Sequence, residues 1–234
     1  MRTVFMYGAG RCGDDGWPVQ AAEHRPDWVF LERRKESNQP TRDAERILEA
    51  LKGKGHVVGH SYGGLAALLA AQRRPDRVRS LILCEPSAFD VARGEAVIEK
   101  HIAAMAPVFA VADDPSVSAE DFEQRFAAGM GLPAPTWSPE IREQTVARMR
   151  ATTPPWEVDL QRGIPKRVPT LVLTGDATPI YAAVADVLVE QGARHVAVPG
   201  AGHRPQDTKE GMQAMLDFWS TIAVPQEARR LACD

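Results

Sequence analysis

The sequence predicts an α/β protein: a mainly parallel sheet of about six strands with flanking helices, interrupted by one helical insertion. Three observations carry this expectation. Short aliphatic or β-branched runs alternate with longer helical patterns. The runs are almost continuously apolar, as strands buried on both faces must be. Residues 87–165 break the alternation, with three helical patterns and no convincing strand.

In chain order, the expected strands are 3–7 "TVFMY", 28–31 "WVFL", 56–59 "HVVG", 79–84 "RSLILC", 169–174 "PTLVLT" and 194–198 "RHVAV". Helices are expected over 41–53, 62–74, 179–191 and 207–222. The second of these opens on glycines and stops at Pro75, and the third opens on Pro179 at a first helical position, where a missing N–H costs nothing. In the insertion the patterns run over 91–112, 118–129 and 138–151. Ser118 with Asp121 reads as a capping box, and Ser138 followed by Pro139 as an N-cap and N1 pair. Turn-rich "GLPAP" at 131–135 and "TTPPW" at 152–156 separate the pieces. The expected organisation is a core of 1–86 and 166–234, with 87–165 as a helical cap.

Composition narrows the function classes. The chain has 234 residues, 44% hydrophobic and 25% charged, which is ordinary for one soluble globular domain. Its formal charge of −3, from 28 basic and 31 acidic residues, argues against nucleic acid as a partner. Arg33, Arg34 and Lys35 are its one basic run and read as a solvated loop. Cys12, Cys84 and Cys233 are scattered without metal-ligand spacing, so neither a disulfide framework nor a metal site is expected, and Cys84 reads as a buried apolar residue. The start "MRTVFMYGAG" is too short an apolar stretch for a signal segment, and no run reaches membrane-spanning length. The expectation is a cytoplasmic protein without a cofactor.

The chemistry is concentrated in "HVVGHSYGG", residues 56–64. Ser61 stands between a strand and a helix and is fenced by Gly59, Gly63 and Gly64, the context in which a tight G-x-S-x-G turn lifts a hydroxyl above a sheet. A serine hydroxyl needs a base to take its proton. "VAVPGAGHRPQD" supplies His203 on a loop after the last strand. His60 sits inside the turn and is expected to pack beside the sheet; His24, His56, His101 and His195 have no partner spacing that supports a catalytic or metal role.

With "MYGAG" at 6–10, "GHSYGG" at 59–64, "LILCEP" at 81–86, "PTLVLTGDATP" at 169–179 and "PGAGH" at 199–203, the chain resembles the α/β-hydrolase superfamily, in its capped branch. The resemblance implies Ser61 as nucleophile, His203 as general base and an acid between them in sequence. It also implies an oxyanion hole from the backbone N–H groups of Ala9 and Tyr62. The acid is open between two positions. Relatives most often carry aspartate where this chain has Thr178, leaving Glu85, after the preceding strand, as first choice and Asp176 as alternative. Tyr7 stands where the family usually has histidine, a change expected to affect support of the oxyanion loop. The sheet is expected to lack the family's first strands, and an exposed edge would allow a monomer or a weak homodimer.

The implied activity is that of a serine hydrolase acting on an ester, lactone or thioester of a small, largely apolar molecule. Trp137 and Trp156 of the insertion are expected to line the substrate pocket, with Asp15 and Trp17 flanking its entrance. The same fold also serves lyases, carbon–carbon hydrolases and biosynthetic cyclases, with Ser61 and His203 in acid–base roles, and non-catalytic ligand binders; neither nucleic acid nor a membrane is an expected partner.

Overall fold

A computed structural model describes residues 1–8, 13–32 and 39–223. Among them, six strands form one sheet: β1 Thr3–Met6, β2 Trp28–Phe30, β3 Gly55–His60, β4 Val78–Cys84, β5 Thr170–Thr174 and β6 Arg194–Ala197. Their order is β2-β1-β3-β4-β5-β6, and every neighbouring pair is parallel. The chain moves outward from β1 to β2, then returns to the other side of β1 for β3. Such a reversal leaves a crevice beyond the carboxyl ends of β1 and β3, where ligands of parallel sheets bind.

The helices are α1 Gly13–Gly16, α2 Pro18–Ala21, α3 Pro40–Leu51, α4 Tyr62–Arg73, α5 Ala96–Ala110, α6 Ala119–Met130, α7 Pro139–Arg150, α8 Ile164–Arg167, α9 Pro179–Glu190 and α10 Lys209–Ala223. Successive strand residues point to opposite faces, so the inner strands feed two cores, while all four residues of the edge strand β6 are exposed. Val4, Met6, Val57, Leu81, Leu83 and Val172 share one core with α3, α4 and α9. Phe5, Val58, Ile82, Leu171 and Leu173 share the other with Trp17 and with Met212, Met215 and Phe218 of α10. Cys84 is fully buried there, and burial pushes its thiol well above the ordinary range.

Between β4 and β5 the chain carries α5 to α8 and no strand. The expected caps form: Ser118 Oγ accepts the Asp121 N–H at 3.1 Å, and Ser138 Oγ accepts that of Ile141 at 3.4 Å. The helix expected over 91–112 is divided, because Gly94 takes φ +96°, which a right-handed helix excludes. A 3₁₀ turn at Phe89–Ala92 precedes it, and α5 starts at Ala96. Phe122, Val108 and Val146 form a small core of their own inside the segment, with the Arg150 guanidinium 4.5 Å above the Phe122 ring. No described helix is long and apolar enough to cross a membrane.

Candidate active site

The end of β3 runs into α4 through a single residue, Ser61, whose φ of 51° and ψ of −122° are strained for any side chain. Ser61 itself carries the positive φ, and the glycines that fence it permit close approach. A Cβ on Gly63 would run into the Met6 carbonyl oxygen and lie 2.7 Å from that of Tyr7; one on Gly59 would lie 2.7 Å from the Gly63 carbonyl. Three backbone hydrogen bonds hold the strained residue. Its N–H donates to Cys84 O at 2.9 Å, and its carbonyl accepts from Gly64 at 2.9 Å and Ser87 at 3.1 Å.

Ser61 Oγ lies 3.0 Å from His203 Nε2, across the loop that follows β6. On the other side of the imidazole, Nδ1 lies 3.4 Å from Glu85 Oε2. Glu85 directly follows β4, is 1% exposed and takes φ 45°, which turns its carboxylate towards the His203 loop. Its second oxygen accepts the Gly175 N–H at 2.6 Å. Asp176 is engaged elsewhere: its two oxygens accept the N–H groups of Gly202 and Gly200, each at 3.0 Å. Those bonds, that from Gly202 first, hold its carboxyl below the ordinary range. The acid in contact with His203 is therefore Glu85, while Asp176 braces the loop that carries His203.

His60 does more than pack. It is 1% exposed, and its Nε2–H donates to the His203 carbonyl at 2.7 Å, linking the residue before the serine to the backbone of the histidine. Tyr7 stacks on the His60 ring at 4.4 Å, and its hydroxyl accepts from Arg204, the residue after His203. The tyrosine that replaces the family histidine thus ties β1 to the same loop.

Two hydroxyls at the site were not singled out from the sequence. Ser87 Oγ lies 3.4 Å from Ser61 Oγ. Tyr181, in the first turn of α9, lies 4.8 Å from the His203 ring with its hydroxyl turned towards Ser87 and Ser61. Burial pushes that phenol up to about 12. Neither residue stands at a motif spacing; the β5 to α9 connection brings Tyr181 beside the end of β4.

The other expected positions divide. Tyr62 opens α4, so its backbone N–H belongs to the electropositive first turn beside Ser61. Gly8 comes so close that a Cβ on it would lie 2.9 Å from Ser61 Cβ. Ala9, the other expected oxyanion donor, lies outside the described residues, as do Cys12, Cys233 and the run Arg33 to Lys35. Trp156 is buried and lines a cavity of about 320 Å³ with Phe109 and Arg150, whose lining does not include Ser61. Trp137 is half-buried and outside that lining. Trp17 does not flank an entrance: at 1% exposure it packs under the sheet, edge-on to Phe5 at 5.2 Å, because its large apolar ring fills the α10 side of the core. Asp15 stands on the exposed side of α1.

Comparison with known proteins agrees with this architecture. NosK from Streptomyces actuosus is 21% identical over 95% of this chain and 99% of its own, with a TM-score of 0.61. A thermophilic esterase from Thermogutta terrifontis is 20% identical over 96% of this chain and 91% of its own, at 0.60. An N-acyl homoserine lactone degrading enzyme is 15% identical over 93% and 92%, at 0.61. At these identities the likeness is one of fold. No curated protein matches the chain. The sequence model of the alpha/beta hydrolase family matches residues 10–214, and the chain belongs to that family.

Proposed function

We propose that the protein is a serine hydrolase that cleaves an ester, lactone or thioester through an acyl-enzyme on Ser61. The observation that carries this reading is the unbroken line from Ser61 Oγ through His203 to Glu85, at 3.0 and 3.4 Å. His203 Nε2 takes the Ser61 proton as Oγ attacks the acyl carbon, and Glu85 holds the imidazole in the tautomer that leaves Nε2 free to accept it. The oxyanion receives the N–H of Tyr62, with Ala9 the second donor that the family resemblance implies, and the intermediate collapses as His203 returns the proton to the leaving group. Water then repeats the cycle on the acyl-enzyme and releases the acid.

Residues 87–165 act in this reading as a cap over the site, joined to it where the Tyr62 hydroxyl donates to Thr153 O at 2.7 Å. A row of rings, Trp156 to His101 at 6.4 Å, His101 to Phe89 at 5.0 Å and Phe89 to Tyr181 at 6.3 Å, runs from the cap to the neighbour of His203 and suits an apolar acyl group. The esterase and lactone-degrading neighbours make those substrates the first to assay. A fluorophosphonate probe should label the wild type and leave Ser61→Ala unlabelled. Equal labelling of the two proteins would overturn the proposal.

A further inference from the structure

We propose that Tyr181 and Ser87 form a hydroxyl pair that donates to the leaving-group oxygen as His203 protonates it, so that the enzyme is built for oxygen esters and lactones and not for thioesters. This rests on the serine hydrolase reading and names the substrate class of the same site.

The argument begins with the hydrogen-bonding capacity of Ser61 Oγ. Its polar neighbours include His203 Nε2 at 3.0 Å and Ser87 Oγ at 3.4 Å. Its single proton must point at Nε2 for the histidine to act as base, so Ser87 meets the Ser61 oxygen as a donor. Ser87 is held there by its own N–H on the Ser61 carbonyl, so its place relative to the nucleophile needs no intervening loop. Tyr181 approaches the same point from α9. Its ring lies across His203 at an interplanar angle of 30°, and its hydroxyl reaches towards both serines. Because burial holds the phenol protonated far above neutral pH, Tyr181 serves as a donor and not as a base.

The oxygen that His203 protonates must come to Nε2, beside Ser61 Oγ, which is where the two hydroxyls converge. As the tetrahedral intermediate collapses, the bond from carbon to the leaving oxygen breaks and its electron pair goes to that oxygen. The oxyanion re-forms the carbonyl, and the proton moves from Nε2 to the departing oxygen. Tyr181 and Ser87 keep their protons and contribute hydrogen bonds, which strengthen as negative charge grows on the oxygen. Charge growth is greatest for a poor alkoxide leaving group and small for a nitrophenolate. Thioester sulfur is a weak acceptor and gains little.

Tyr181→Phe keeps the ring over His203 and removes only the hydroxyl; Ser87→Ala does the same for the second donor. With one acyl chain presented as an ethyl ester, a nitrophenyl ester and a thioester, kcat/KM of Tyr181→Phe should fall about 10- to 100-fold on the ethyl ester. That loss should exceed the losses on the other two substrates by about tenfold or more, and Ser87→Ala should show the same order. A purely structural role would lower all three rates together. Equal losses on the three substrates, or an ethyl ester rate unchanged by both variants, would overturn the proposal while Ser61-dependent fluorophosphonate labelling still upheld the hydrolase reading. Absence of that labelling in the wild type would overturn both.

Discussion

Replacing Glu85 with glutamine tests the assignment of the acid most directly, because the geometry dictates how the amide must sit. In the wild type one carboxylate oxygen accepts the Gly175 N–H at 2.6 Å and the other faces His203 Nδ1 at 3.4 Å. A glutamine keeps its oxygen on Gly175 and turns its NH₂ towards Nδ1. It can only donate there, so the imidazole proton shifts to Nε2, which then faces Ser61 Oγ and cannot accept. The wrong tautomer costs about 10⁴ in kcat where the carboxylate is closely bound. The 3.4 Å separation is long for such a contact, so the expectation here is about 10³, equivalent to about 4 kcal/mol of transition-state stabilisation. Asp176→Asn keeps an oxygen for one of the two glycine N–H groups and should cost less than about tenfold. Pre-steady-state acylation with a nitrophenyl ester, beside thermal unfolding of each variant, separates chemistry from folding. A Glu85→Gln enzyme within tenfold of the wild type, or an Asp176→Asn enzyme slower by 10³, would refute the assignment.

Asp176 also makes a pH prediction. Because its folded carboxyl titrates below the ordinary value of 3.8, its contribution to stability is present above that pH and lost as pH falls through the lower, folded value. The Tm difference between the wild type and Asp176→Asn should therefore shrink in that acidic window; a constant difference would count against the bracing role. For His56, burial first, then Arg79 and the N-terminal ammonium, bring the imidazole from 6.5 to about 4. The unfolded chain takes the proton first, so stability should fall as pH drops from 6.5 towards 4, and His56→Gln should flatten that slope in melts at successive pH values. Gly63→Ala forces a methyl group against the Met6 and Tyr7 carbonyl oxygens and should cost about 1–3 kcal/mol in chemical denaturation; an unchanged midpoint would show that β1 yields freely.

The apolar runs predicted the six strands to within one or two residues; β1, β3, β4 and β5 are buried on both faces and leave a continuous signal in sequence, whereas β6 is an exposed edge strand read from its place in the alternation. That Ser61, His203 and Glu85 come together was legible for a related reason: each lies on a segment that follows a strand end. Tyr181 and the second task of His60 were not. Their contacts join residues of distant elements, such as His60 with the carbonyl of His203, and no local periodicity records which carbonyl an imidazole will find. Gly94, by contrast, was visible as a glycine, but a helical pattern on both sides of it hid its left-handed φ.

The bond from His60 to the His203 backbone has a consequence for how the site can be studied. His60 is covalently next to Ser61, so the carbonyl of the proposed base is moored one residue from the nucleophile, independently of the serine hydroxyl. Removing that hydroxyl should leave the imidazole where it stands. Ser61→Ala is then a snare for intact substrate, able to hold an uncleaved ester against an otherwise complete set of groups and so reveal which acyl chain the protein accepts.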